Sequence, residues 1–358
     1  MRLHHLTMYV AALLAVVALA SGDIASAAAA VPESPTATAT PTVTPTKTAT
    51  PTVTPTNKVT ETFKVTLPET SIAGPGFDGQ AIAWTGTDPN HHLNIRVGTN
   101  GVQFPTKTTL PETSPFGTAV APALGISLTL PNAVAWTGGD ANHSLNIQVI
   151  PGGPKLTLPE SSIAAPALDF GSAGFLLLAW TGGDANHSLN VLPLTIDASS
   201  RRLIPGTKTI LSQFSSDAGP SLLGSAFSHN NQFVLGWSAR GTQQLNLALS
   251  TDGVHFTSTP GSGLPQTSAS APQFVIQGTS GMCMSWTGTD AANSLNVQCT
   301  TQAQFPQFPD PADTKTVLPE TALGTPPMSI GGSPSFAEIA WTGTDAAHLL
   351  NVAGLQGP

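Results

Sequence analysis

One phrase recurs six times along this chain, and each copy holds one of its six tryptophans. In the last copy, AWTGTDAAHLLNV, an asparagine follows Trp341 after ten residues, and only in the fourth copy is this spacing nine. Between the copies, apolar and polar residues alternate in short runs separated by Gly, Pro and Asp, which predicts strands and turns. The tryptophans are Trp84, Trp136, Trp180, Trp237, Trp286 and Trp341.

Their separations of 44 to 57 residues are typical of folds in which one small sheet packs on the next. We therefore predict an all-β protein, a six-bladed β-propeller with one blade for each copy. The segment from Phe63 to Leu67 is similar to the fourth strand of a repeat, and Leu350 to Leu355 to a third strand. We expect the N-terminal strand to complete the last blade and close the ring.

The N-terminal region is not expected to be part of the propeller. Residues 1–27 contain Arg2, an apolar run from Leu6 to Ala20 and a small-residue cleavage site, which predicts a secretory signal peptide. Residues 28–57 are dominated by Thr and Pro, a composition typical of a disordered, extended linker. Residues 58–358 remain for the propeller. We expect a monomer that is secreted or held at the cell surface, without membrane insertion after signal cleavage.

The low charge content of the chain argues against nucleic acid and anionic membranes as binding partners. Charged residues make up 9% of the chain and the net charge is -8. No basic patch for nucleic acid or an anionic membrane is expected from this composition.

The two cysteines occupy related positions in the fifth copy. If Trp286 faces Asn296 across a hairpin, Cys283 faces Cys299 in the same register. A cross-strand disulfide follows for an exported protein, and two buried free thiols are the alternative.

A second motif, LPETS and its variants, begins at Leu67, Leu110, Leu158, Leu264 and Leu318. It is superficially similar to a sortase signal, but such a signal is single and is followed by an apolar span. We interpret each copy as a turn between blades, in which Pro sets the dihedral angle and Glu or Thr bonds to backbone amides.

The loop after most tryptophans contains Asp-x-x-His. The aspartates are Asp88, Asp140, Asp184, Asp290 and Asp345, and the histidines are His91, His143, His187 and His348. Such pairs suggest a metal or polar-ligand site. A turn stabilised by Asp, with a solvent-facing His, is the interpretation we favour, because one hairpin loop supplies at most two metal ligands. We predict no metal site and no cofactor, with calcium left open.

Both motifs are lost together in the fourth copy, which reads LSQFS from Leu211 and SARGTQQ from Ser238. Joint loss predicts that the two segments touch. The hypothesis gives five similar ligand pockets built from Glu69, Glu112, Glu160, Gln266 or Glu320 with the nearby Asp, His and Asn. The fourth copy is either less constrained or a specialised site, with Arg240 and His229 as its candidate residues.

The segment from Ser250 to Phe256, STDGVHF, has a weaker echo from Asn100 to Phe104. It resembles the Asp-box, or bacterial neuraminidase repeat, of sialidase-like propellers. The resemblance implies a tyrosine nucleophile, three arginines that clamp a carboxylate, and an acid/base aspartate. This chain departs from that pattern, because Tyr9 lies in the predicted signal peptide and is the only tyrosine. The four arginines of the remaining chain, Arg96, Arg201, Arg202 and Arg240, do not supply a recognisable clamp.

The sequence thus favours a non-catalytic recognition or adhesion propeller whose partner is an extracellular glycan or another cell-surface component. A site repeated in every blade is typical of a scaffold or of multivalent binding. Two alternatives stay open: a sialidase-like glycoside hydrolase and a purely structural cell-surface domain.

Overall fold

The computed structural model describes residues 58–98, 103–121, 132–171, 175–197, 199–224, 233–277, 281–301, 305, 308, 314–330 and 336–357. The named elements of these residues are antiparallel β-strands, numbered β1 to β25 in chain order. No helix within the described ranges is long and apolar enough to cross a membrane. The predicted signal peptide and linker, and His229, lie outside the described residues.

The strands form five sheets within the described part of the chain. The first two have four strands each: β2 (Gly76–Phe77), β3 (Ala81–Thr85), β4 (His92–Val97) and β5 (Thr106–Thr113), then β6 (Thr118–Ala121), β7 (Asn132–Thr137), β8 (Ser144–Ile150) and β9 (Lys155–Ser161). The third has five: β10 (Ala167–Phe170), β11 (Leu176–Thr181), β12 (Ser188–Asp197), β13 (Arg202–Pro205) and β14 (Thr209–Ser215). The fourth consists of β15 (Ser221–Leu223), β16 (Phe233–Ser238), β17 (Gln244–Ser250) and β18 (Thr257–Thr267).

The largest sheet has eight strands and contains the last two tryptophan hairpins. Its strands are β19 (Gln273–Gln277), β20 (Gly281–Thr287), β21 (Ser294–Thr301), β22 (Lys315–Leu323), β23 (Met328–Ile330), β24 (Phe336–Gly343), β25 (Leu349–Gln356) and β1 (Thr60–Thr70). The N-terminal strand β1 pairs antiparallel with β25, and Val65 faces Val352. This is the pairing that the sequence predicted for the two ends of the domain.

Each tryptophan lies in a strand that forms a hairpin with the strand of the matching asparagine. The Cα partners are Trp84 with Asn94, Trp136 with Asn146, Trp180 with Asn190, Trp237 with Asn246, Trp286 with Asn296 and Trp341 with Asn351. All six rings are buried. We call the six repeats units 1 to 6 in the order of their tryptophans, and we call the connection within each hairpin the hairpin loop.

In units 1, 2 and 6, the asparagine side chain bonds both within its own strand and to the fourth strand. Asn94 donates from Nδ2 to the carbonyl of His92, 2.9 Å away, and accepts at Oδ1 from the hydroxyl of Thr109 in β5, 2.7 Å away. Asn146 makes the same two bonds with Ser144 and Thr157. One amide therefore ties the start of the third strand to the fourth strand.

The predicted disulfide is present. Cys283 in β20 faces Cys299 in β21, and the two sulfur atoms are bonded. The register argument was therefore sufficient to place this bond.

The interpretation of LPETS as a turn between blades was wrong. The segments lie at the C-terminal ends of the fourth strands β1, β5, β9, β18 and β22. In β5, Thr109 faces Asn94 and Thr113 faces His92, so the residues between Thr109 and Thr113 form a bulge. Proline suits such a position because it cannot donate a ladder hydrogen bond.

Candidate functional site

The loop aspartates stabilise their own turns. Asp140 accepts bonds from the main-chain N–H groups of Asn142 and Ser144 and from the Ser144 hydroxyl, at 3.0 to 3.3 Å. Asp88, Asp184, Asp290 and Asp345 each accept from the main-chain N–H two residues later. The hydrogen bond from the Ser294 hydroxyl lowers the pKa of Asp290. These five carboxylates therefore already accept hydrogen bonds from donors of their own loops.

The motif histidines lie at the ends of the hairpin loops and have a left-handed backbone conformation. His91, His143, His187 and His348 have φ between 50° and 55°. The main-chain N–H of His91 donates to the carbonyl of Asp88, and its own carbonyl accepts from the N–H of Ser114, at 3.1 Å. Gln243 and Asn293 hold the same conformation in the two units without this histidine. The left-handed conformation at this position is therefore common to all six hairpin loops, whichever residue occupies it.

In unit 1, the loop aspartate does not contact the ring of its motif histidine. Asp88 contacts the ring of His92 instead of His91, with Nδ1 2.7 Å from Oδ1. In the described part of the chain, no group of three or more His, Cys, Asp and Glu side chains is placed to hold a metal ion.

The LPET segments and the hairpin loops do touch, as their joint loss predicted. Thr70 lies 2.6 Å from Thr87, hydroxyl to hydroxyl. The same contact joins Thr267 with Thr289 and Thr321 with Thr344. The segment of one unit therefore contacts the hairpin loop of the next, through threonine hydroxyls.

The glutamates of the LPET segments have a different partner, which sequence reasoning missed. Each one forms an ion pair with a lysine of the next unit: Glu69 with Lys107, Glu112 with Lys155, Glu160 with Lys208, and Glu320 with Lys64, at 2.5 to 2.7 Å. Glu69 also accepts from Arg96 at 2.6 Å. Burial acts to raise the pKa of Glu69, but the bonds from Lys107 and Arg96 outweigh it and hold that pKa below its usual range.

A sequence signal for these pairs exists. Lysine stands three residues before the leucine of an LPET-type segment in five units and is replaced by Gly261 in the sixth instance. The glutamate that would reach position 261 is replaced by Gln213. The two members of this pair are thus lost together, as expected for groups that neutralise each other. Gln266 bonds instead to Gln298, at 2.8 Å.

An open cleft of about 560 Å³, which we call the first-unit cleft, lies beside the best-developed pair. Its lining residues are Pro68, Glu69, Thr70, Trp84, Gly86, Thr87, Asp88, Pro89, Asn90, His92, Asn94, Lys107 and Thr109. The ammonium of Lys107 lies 5.3 Å from the centroid of the Trp84 ring. The cleft therefore combines a paired carboxylate and ammonium with amide, hydroxyl and imidazole groups.

Unit 4 makes a different set of contacts. Asp217 lies 2.8 Å from Nδ1 of His187 and 3.3 Å from Nε of Arg240. Arg240 also donates to the carbonyl of Ala185 at 2.7 Å. Phe214, which replaces the threonine of the LPET segment, packs on Trp237 with the ring centroids 4.5 Å apart. The divergent residues thus contact one another and the neighbouring unit 3.

The segment that resembles an Asp-box forms a compact turn between β17 and β18. Asp252 Oδ1 accepts from the main-chain N–H groups of Val254 and His255, both at 2.8 Å, and from Ser250 at 2.9 Å. Phe256 is buried. Its weaker echo, from Asn100 to Phe104, lies partly outside the described residues.

A second, larger space of about 960 Å³, the central cavity, is lined by residues from all six units. Asp78, Asp169 and Asp217 are among them. Sequence reasoning missed the first two because they stand six and eleven residues before their tryptophans. The strand register reveals that their positions are equivalent, since Gly76 faces Ala83 and Ala167 faces Ala179, each beside a tryptophan.

No protein-family model matches this chain, and no curated protein matches it in sequence. Among solved structures, the chain is similar to the Hadza microbial sialidase Hz136, at 10% identity and a TM-score of 0.54, over 79% of this chain and 66% of that one. It is also similar to the SapL1 lectin in complex with alpha methyl fucoside, at 10% identity and 0.51, over 80% and 93%. The BP39L lectin from Burkholderia pseudomallei is similar at 16% identity and 0.51, over 78% and 80%. The chain thus shares the all-β fold of sialidase-like and lectin propellers.

Proposed function

We propose that this protein is a secreted, non-catalytic recognition protein, whose six-bladed propeller binds extracellular glycans in clefts between neighbouring units. The observation that carries the proposal is the first-unit cleft, where Glu69, Lys107 and Asn90 line one open space. A sugar presents several hydroxyl groups, each of which donates and accepts hydrogen bonds. Carboxylate, ammonium and amide groups in one cleft match that requirement.

Charge favours a neutral sugar over an anionic one in this cleft. Glu69 already pairs with Lys107 and Arg96, and Asp88 pairs with His92. Lys107 and Arg96 therefore each have a counter-charge already, and neither is free to attract a carboxylate of the ligand. The clefts therefore differ in chemistry from a site built on free arginines.

Repetition supports multivalent binding. The described residues contain four Glu–Lys pairs that join consecutive units. Weak sites repeated on one rigid body gain avidity against a surface that displays many copies of the ligand. A glycan-coated cell surface is such a target.

The fold proposal rests on two features of strand pairing. Six tryptophan hairpins are present, and β1 pairs with β25, so that one unit combines strands from both ends of residues 58–358. A ring closed in this way leaves no exposed sheet edge at the junction. The Cys283–Cys299 disulfide supports an oxidising compartment, in agreement with the proposed signal peptide at 1–27 and linker at 28–57.

A glycan array probed with the full chain, in calcium and in chelator, tests the proposal. We expect binding to a defined class of neutral glycans under both conditions, because the loop aspartates are occupied by hydrogen bonds from their own turns. The Glu69→Gln variant should bind more weakly than the Gln213→Ala variant, which changes the unit without the ion pair. Absence of binding across the array would contradict the proposal.

A further inference from the structure

The central cavity has a charge distribution that the glycan clefts do not explain. Asp78 follows β2 in unit 1, and Asp169 lies in β10 of unit 3 at the equivalent register. The units between and beyond them place neutral residues at this position, among them Leu223, Val275 and Ser329. The two carboxylates therefore occupy the same position in two sheets that both line the cavity, and the two units are separated by a single unit.

Within the described ranges, neither carboxylate has a cationic partner. Asp78 Oδ1 accepts from the main-chain N–H groups of Gln80 and Ala81, at 2.8 and 2.6 Å, whereas its Oδ2 is buried and accepts no hydrogen bond. Asp169 accepts one main-chain N–H on each oxygen, from Phe170 and Gly224, at 2.7 Å. No lysine or arginine is among the described residues that line the cavity.

The electrostatics of the pair follow from burial. Burial raises the pKa of Asp78 to about 6 and that of Asp169 to about 7, and the charge of Asp78 adds to the second shift. Both residues are half-buried, and leaving a largely desolvated carboxylate without a counter-charge costs free energy that a bound cation would recover. The third carboxylate of the lining, Asp217, is already paired with His187 and Arg240.

We propose that the central cavity binds an alkyl ammonium ligand, of which a linear diamine is the simplest, with Asp78 and Asp169 as its counter-charges. An ammonium group offers three donors and no acceptor, which matches oxygens that only accept. The apolar lining at Leu223, Phe274 and Ile276 suits a methylene chain.

A metal ion fits this cavity less well than an organic cation. Calcium takes six to eight oxygen ligands, and the described residues bring together no cluster of three His, Cys, Asp or Glu side chains. The site shares no residue with the first-unit cleft. Amine binding in the central cavity therefore does not depend on glycan binding in the first-unit cleft.

Isothermal titration of the full chain with putrescine and spermidine, at constant ionic strength, tests the inference. The matched neutral ligand is the diol of the same length. We expect saturable binding of the amines and none of the diol. Asp78→Asn and Asp169→Asn should each weaken the amine by about tenfold or more, because each removes one charge-assisted bond. Asp197→Asn, outside the cavity lining, should bind as the unchanged chain does.

Three results would overturn the inference: no saturable amine binding, equal affinity in both cavity variants and the unchanged chain, or calcium binding that excludes the amine. Circular dichroism checks that each variant is folded. If a variant does not fold, the unchanged chain decides the matter, because the amine must raise its melting temperature and the diol must not.

Discussion

At the scale of single residues, Glu338 departs most clearly from its repeat. It lies in β24, three residues before Trp341, where the other units have Ala81, Ala133, Leu177, Val234 and Cys283. The side chain is buried, and its Oε2 has no hydrogen-bond partner. Burial raises the pKa of Glu338 to about 7. The folded chain therefore favours the protonated form of this carboxyl.

The pH dependence follows from the direction of that shift. The stabilising effect of the neutral carboxyl is complete below the ordinary pKa of 4.5 and is lost as pH rises through about 7. Glu338→Gln keeps the neutral shape at every pH. We expect its advantage in the free energy of unfolding to be about 2 kcal/mol larger at pH 8 than at pH 5. Denaturant unfolding at both values measures this difference, and an advantage independent of pH would contradict the buried carboxyl.

At the scale of the element, the hairpin loop is a set of side chains that require one another. The glycine two residues after the tryptophan makes room for the loop aspartate and the strand asparagine. A Cβ at Gly182 would lie 2.8 Å from both Asp184 Oδ2 and Asn190 Nδ2. Unit 4 has no loop aspartate, and there Ala239 replaces the glycine. In unit 4, the loss of the loop aspartate and the loss of the glycine therefore occur together.

A pair of exchanges tests this dependence. Gly182→Ala should destabilise the protein by about 1–3 kcal/mol, because the added methyl displaces the aspartate from its turn. Ala239→Gly is the matched control and should cost about 1 kcal/mol or less. Thermal unfolding of both variants gives the comparison. Equal destabilisation by the two substitutions would mean that the loop aspartate is not the reason why glycine is required at this position.

The LPET segments are the elements whose structure the sequence predicted wrongly. Proline beside Glu and Thr is a frequent turn signal, so the LPET segments were predicted as turns. They are bulged ends of fourth strands, because the asparagine of the neighbouring strand pairs with a threonine before the bulge and leaves the proline outside the ladder. Local composition cannot distinguish a strand that ends in a bulge from one that ends in a turn.

At the scale of the whole molecule, the repeat was enough to predict the hairpins, the β1–β25 pairing and the disulfide, since all three follow from one register. The candidate sites were harder to predict from the sequence. The loop aspartates and histidines were identified from the sequence, but the hydrogen bonds of the aspartates to their own turns and the contact of His187 with Asp217 were not. The sequence does not reveal that Asp78 and Asp169 are equivalent, because the connections before their tryptophans differ in length.

The number of glycan molecules bound by one chain is the most direct test of recognition in repeated clefts. Native mass spectrometry with a soluble glycan counts them in the unchanged chain and in Glu69→Gln, Glu112→Gln and their combination. We predict several bound glycans per chain, with one lost for each substituted cleft and none lost in Gln213→Ala. A single equivalent, or a count that these substitutions leave unchanged, would contradict it.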